Sequence, residues 1–226
     1  MRKLAVKNEN IFKRIVTYLI GILIIALGIN VSKMAGLGIS PVSSIPRVLE
    51  VVWGFTLGTM VIVVYCFLVL LQFIVLRKDF KPVSILGVPV AIVFGWMIDL
   101  VGIDPNAVGH LLAGFPRPGT YIMKLVYLIA SIIIIGIGVY IYLKPNLIPM
   151  PAEGLAAAIS QKTGKAFGDC KTMVDVGLIA VALIIQLIFL GGFSSFVNDP
   201  VVVREGTIAA AVCVGQVVKF LKKKLG

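Results

Sequence analysis

Three carboxylates in this sequence stand where a carboxylate is costly. Asp175 lies in KTMVDVGLIAV and Asp99 in FGWMIDLVG, both within long apolar runs, and Glu153 follows two prolines in LIPMPAEGL. An acid in hydrocarbon must be paired, wetted or neutralised. Burial favours the neutral form, so such a group becomes able to exchange a proton near physiological pH. Asp175 has an ordinary partner in Lys171, one helical turn away on the same face. Asp99, near the end of its run, can reach the interface by snorkelling. Glu153 suits the first turn of a helix beginning at Pro151, and beside a cavity it could also read a cationic group or carry a proton.

Enzyme chemistry is harder to assemble. The single histidine, His110, stands in DPNAVGH, where an exposed structural role is the default. There is no HExxH and no Ser/His pair on facing helices. Asp99 and Asp175 lack the glycine-flanked motif expected of an intramembrane aspartyl dyad. Cys66, Cys170 and Cys213 have neither metal nor disulfide spacing and read as small apolar fillers. No catalytic residue, metal or cofactor is expected.

What must position the acids is a membrane scaffold. The 226 residues are 59% hydrophobic and only 14% charged, with a mean hydropathy of +1.07. A soluble domain carries nearer a quarter charged residues. Windows of roughly 20 apolar residues predict six spans, over 12–31, 57–76, 84–101, 121–143, 172–190 and 203–221. The first has the basic lead of a signal peptide, but its apolar run is too long and no small-x-small site closes it. A single transmembrane domain over 1–226 is expected, with no room for a soluble one.

Charge sets the orientation. With both termini cytoplasmic, only Lys33, Arg47, Arg117, Lys124 and Arg204 of the 21 Lys and Arg fall outside. That obeys the positive-inside rule for a multi-pass protein of a bacterial cell membrane. The net charge of +11 then follows from topology and anionic lipid, and no nucleic-acid partner is needed.

Two stretches interrupt this pattern. MAGLGISPVSSIP follows the first span, and LIPMPAEGL follows the fourth, roughly 110 residues later. YLIGILIIALGINV resembles YLIASIIIIGIGVYI, Pro41 answers Pro151, Gly58 answers Gly168, Gln72 answers Gln186, and Gly87 and Gly95 answer Gly206 and Gly215. Two three-span halves, about 12–103 and 121–222, therefore make an inverted repeat, because an odd number of spans reverses the second half. The expected fold is an all-α polytopic protein with a Gly/Pro-broken, re-entrant short helix in each half, near 42–52 and 152–161. Irregular backbone survives in a bilayer only inside protein or beside a wet cavity. Paired breaks thus point to a central site. Gly36, Gly38, Ser40, Pro41, Ser43 and Ser44 from one break, and Pro151, Glu153 and Gly154 from the other, are the candidate solute-binding residues. Asp175, Asp99 and Glu153 are the candidates for proton or ion coupling. Surface loops with interfacial helices are the competing reading, since PRVLEVVWG has the Trp and mixed charge of such a helix. Asn30, Gln72, Gln186 and Gln216 are expected to hydrogen-bond between helices. Gly21, Gly28, Gly136 and Gly138 are expected to let helices approach closely.

The ordered motifs GLGISPVSSIP, GWMID, PAEGLAAAISQKTGKAFG, MVDVG and VREGTIAAAVCVG resemble the YczE/YyaS/YitT group of bacterial integral membrane proteins, closest to its YczE-like branch. The likeness covers nearly the whole chain. It departs at VCVGQVV, where Gln216 replaces the family's proline, and the soluble C-terminal domain of the YitT branch is absent. The resemblance implies a membrane protein in which Asp99, Glu153 and Asp175 matter, and it implies no substrate. The expected function is a compact secondary transporter of a small polar or anionic organic solute. The runner-up is a non-transporting subunit or assembly partner of another membrane protein, and a channel comes third. Lipid and a small solute are the expected partners. A homodimer is compatible with 24.3 kDa, although no residue specifies one.

Overall fold

A computed structural model describes residues 10–103, 109, 111–112, 114–190 and 202–225. These residues form eight α-helices: α1 (Ile11–Ala35), α2 (Pro41–Trp53), α3 (Leu57–Leu76), α4 (Gly87–Val101), α5 (Tyr121–Leu143), α6 (Pro151–Thr163), α7 (Phe167–Phe189) and α8 (Glu205–Leu225). Two 3-10 turns, Arg77–Asp79 and Pro82–Leu86, link α3 to α4. Among the described residues, α1, α3, α5, α7 and the Pro82–Val101 stretch are long and apolar enough to cross a membrane. The outward faces carry large exposed apolar side chains such as Trp96, Ile122 and Ile188. A surface of that kind requires lipid rather than water. The chain is an all-α polytopic membrane protein.

Local signals explain the boundaries. Pro41 and Pro151 each occupy the first turn of a short helix, where the missing N–H costs nothing. Gly54 and Gly164 end those helices in the left-handed conformation, with φ of 72° and 70°. A residue with a Cβ is strained there, so glycine is the natural stop. The spans expected over 57–76 and 121–143 coincide with α3 and α5. α7 starts at Phe167 instead of Thr172, so Lys171 and Asp175 lie well inside a regular helix. The sixth expected span forms as α8, but it falls outside the five apolar spans. Glu205 at its start and Lys219, Lys222, Lys223 and Lys224 near its end make it more polar.

The core is built around the crossing of α1 and α5, the most intimate pair in the molecule. A Cβ placed on Gly21 would come 2.5 Å from Tyr142 N, and one on Gly138 would come 2.8 Å from Ile25 N. Glycine on both sides lets the backbones touch, and dispersion contacts replace the hydrophobic drive that lipid does not supply. Gly28 meets Ile135 in the same crossing, while Gly136 receives Val217 of α8. α4 packs on α1 and α8 on α5. α2 packs on α3 and α7, and α6 on α7 and α3. α3 and α4 pack tightly, whereas α7 and α8 barely touch.

Candidate functional site

The first broken stretch enters the interior and the second runs in from a partly exposed start, both held by hydrogen bonds from other segments. Leu37 and Ile39 of the first, and Met150 of the second, are buried. In the first, Ser32 Oγ donates to Gly38 O at 3.0 Å, Gly206 N to Leu37 O at 2.8 Å, and Ile39 N to Thr207 Oγ1 at 3.2 Å. In the second, Arg14 donates from Nη2 to Pro145 O at 2.8 Å and Tyr18 Oη donates to Ile148 O at 2.8 Å. Gln72 Nε2 completes it by donating to Pro151 O at 2.9 Å. Backbone polar groups outside regular helix thus find partners within the protein, as a low-dielectric setting demands.

Between these breaks lies a cavity of about 950 Å³. Ser40, Pro41 and Ser43 of the first break line it, as do Glu153, Lys171 and Asp175. The rest of the wall is mostly apolar and includes Tyr65, Phe94, Tyr142 and Phe167. α8 contributes Gly215, Gln216 and Lys219, so the cavity occupies the space where α7 and α8 do not meet.

The expected site residues divide into two groups. Ser40, Pro41, Ser43, Glu153 and Asp175 reach the cavity. Gly36 instead caps α1 in the left-handed conformation at φ 66°, and Gly38, at φ 111°, packs against Thr207. Ser44 is fully buried and donates to Pro41 O at 2.6 Å. Pro151 and Gly154 lie against Gln72, in a separate small pocket of about 120 Å³. His110 lies outside the described residues.

Asp99 is the clearest departure. It does not snorkel, and it is 8% exposed. Its Oδ1 accepts from Gly58 N at 2.8 Å and its Oδ2 from Thr56 Oγ1 at 2.7 Å. The carboxylate of α4 therefore caps the N-terminus of α3, where unpaired N–H groups and the helix dipole both favour negative charge. Asp175 has the ordinary partner expected of it: Lys171 Nζ lies 2.5 Å from Oδ1. The interhelical amides behave as expected at two positions: Asn30 Nδ2 donates to Ile98 O at 3.0 Å and Gln72 reaches Pro151, whereas Gln186 Oε1 accepts from Val203 N at 3.1 Å in the segment before α8. Gln216 faces the cavity instead.

Glu153 has none of these anchors. Among the described residues, no hydrogen bond or ion pair reaches its carboxylate. It lies in α6, whose 13 residues are too few to cross a membrane. Burial pushes the Glu153 carboxyl up to about 7; Lys171 pulls it down, Asp175 adds to the rise, and Lys222 pulls it down again. The group is therefore poised to gain and lose a proton near neutral pH.

Two features escape a reading of sequence alone. Tyr65, Phe94 and Tyr142 sit in apolar runs and read as core, yet they wall the cavity. Glu50, in what reads as an interfacial helix, is 6% exposed and bridges Lys33 at 2.5 Å and Arg47 at 2.6 Å. Its spacing to Arg47 was the available signal; its pairing with α1 was not visible.

Fold and site together define a multi-pass membrane protein with a mostly apolar cavity reached by two broken segments. The chain belongs to a family of unknown function, DUF6198, whose model matches residues 12–223. It is 28% identical over 198 residues to YyaS, an uncharacterized protein of Bacillus subtilis (strain 168), covering 83% of this chain and 93% of that protein. That relationship bears on the YyaS-like part of the resemblance drawn from the motifs. No solved structure matches the chain.

Proposed function

We propose that the chain is a secondary transporter of the bacterial cell membrane, built from two inverted repeats, that moves a small organic solute in exchange with protons. In this reading both termini are cytoplasmic. α1 to α4 correspond to α5 to α8, and the packing pairs obey that correspondence. α2 on α7 answers α6 on α3, α1 on α4 answers α5 on α8, and α2 on α3 answers α6 on α7. One pair departs: α3 and α4 are packed closed, while α7 and α8 are parted by the cavity.

That single departure carries the proposal. A symmetric architecture caught with one gate shut and its counterpart open is what alternating access requires, because the opposite state exchanges the two arrangements. The glycines mark the same contrast. Gly58 and Gly95 are in backbone contact, whereas Cβ atoms built on their counterparts Gly168 and Gly215 meet nothing within 4 Å. Of the serines, Ser40 Oγ donates to Ser43 Oγ at 3.1 Å and Ser44 Oγ to Pro41 O at 2.6 Å, so part of their bonding capacity is used within the protein. The apolar wall favours a solute with a substantial apolar body.

The test is proton movement into proteoliposomes holding a trapped pH dye, with pools of organic cations, zwitterions and anions added in turn. At least one pool is expected to drive saturable proton flux, and Glu153→Gln is expected to reduce that flux at least about tenfold. Flux that never saturates, or no proton flux with any pool from correctly inserted protein, would contradict the proposal.

A further inference from the structure

We infer that the cavity is a site for an organic cation with an apolar body, whose positive charge is read by Glu153 among aromatic rings. The inference rests on the transporter reading for its purpose, but the site stands on its own geometry. Glu153 is a half-buried carboxylate on the wall of an apolar cavity, with no hydrogen-bond or ion-pair partner among the described residues, and such a charge awaits one. Tyr142 shows the same deficit: it is 2% exposed, lines the cavity, and its hydroxyl has no hydrogen-bond partner among the described residues. Two polar groups left unsatisfied around one cavity point to a missing guest.

The surrounding rings select the sign of its charge. Tyr65 and Phe94 stack at 5.7 Å between centroids on one part of the wall. Tyr142 stands on another part, buttressed edge-on by Tyr18 at 5.8 Å. Aromatic faces attract cations and repel anions, the more so once water is excluded. Glu153 lies close enough for its charge to act on both Tyr18 and Tyr65.

The other charged groups facing Glu153 are few. From α7 come Lys171 and Asp175, which neutralise each other across 2.5 Å. From α8 come Lys222, which acts on Glu153 from a distance, and Lys219 on the cavity wall. The phenols of α1, α3 and α5 add no charge near neutral pH. Among the described residues Glu153 is thus the cavity's acid without an ion-pair contact, and an entering cation supplies one. The exchange balances simply. The cation binds the carboxylate, the proton held on a Glu153 oxygen leaves to bulk water, and the site's charge rises by none.

Equilibrium binding to purified protein, without a membrane gradient, separates this inference from the transport proposal. The probes are tetraphenylphosphonium and its matched anion tetraphenylborate. Saturable binding of the cation is expected, tightening by up to about tenfold per pH unit from about pH 5 to about pH 7 and levelling above. About one proton should be released per cation at the acid end, read as a buffer-dependent heat. Glu153→Gln should weaken cation binding at least about tenfold and remove the pH dependence, while Glu153→Asp restores both in part. Preference for tetraphenylborate, absence of saturable cation binding, or unchanged binding by a folded Glu153→Gln protein would overturn the inference. None of those results would touch the flux test, which includes anions and zwitterions.

Discussion

At the junction of α3 with α4, Gly58 and Gly95 bring two backbones together and Asp99 seals the contact by capping the start of α3. At the junction of α7 with α8, Gly168 and Gly215 have open space beside them. The glycines are alike, so they permit closure without compelling it. The latch differs. Where α4 offers Asp99 to the positive end of α3, the approximate counterpart on α8 is Lys219. A cation is not favoured by the positive end of a helix dipole as a carboxylate is. One junction therefore carries its own fastener, and the other is left to be closed by something else, for which a guest in the cavity is the natural candidate.

Substitutions can break this comparison, and the largest effect is expected at the closed junction. Gly58→Leu must force α3 from α4 against backbone and the Asp99 carboxylate, at a cost of about 3 kcal/mol or more. A Cβ on Gly168 meets no atom within 4 Å, so Gly168→Leu should stay within about 0.5 kcal/mol. Thermal unfolding in detergent measures both, and equal losses would remove the asymmetry.

Next come the acids. Asp99→Ala leaves Gly58 N and Thr56 Oγ1 without their acceptor and should cost about 2 to 3 kcal/mol. Asp175→Ala breaks one pair spaced i,i+4 along α7, whose side chains are 27% and 18% exposed, and should cost less than about 1 kcal/mol. A larger loss at Asp175 than at Asp99 would reverse their roles.

The last effect is small and the most diagnostic. A folded-state carboxyl held above its unfolded value contributes stability below the unfolded value and loses it as pH rises through the folded one. Glu153, at about 7, is such a group. Glu153→Gln should therefore be more stable than the parent at about pH 8.5 and level with it at about pH 4, by about 1 kcal/mol at most once water in the cavity is allowed for. Destabilisation at high pH would mean that the ionised Glu153 has a structural partner.

Much of the scaffold was legible because its signals are local. Long apolar runs announced α3 and α5 to the residue, and proline announced the starts of α2 and α6. The lysine one turn from Asp175 announced its ion pair. Asp99 was misread because its partners, Thr56 and Gly58, are brought to it only by packing. Tyr65, Phe94 and Tyr142 were missed for a related reason: an aromatic residue in an apolar run reads as core until the neighbouring helix is known to stand away. The parting of α7 from α8 was invisible, since the repeat we propose predicts like contacts in both halves.

The central claim is that α7 and α8 can close as α3 and α4 do. Its most direct test is a pair of cysteines, Gly168→Cys with Gly215→Cys, in protein whose Cys66, Cys170 and Cys213 have been replaced. A short thiol cross-linker is applied in proteoliposomes, with proton flux as the readout. The two thiols should join, flux should stop, and reductive cleavage of the linker should restore it. Thiols that each react with a single-ended reagent yet never join, or a joined protein that keeps full flux, would contradict the claim.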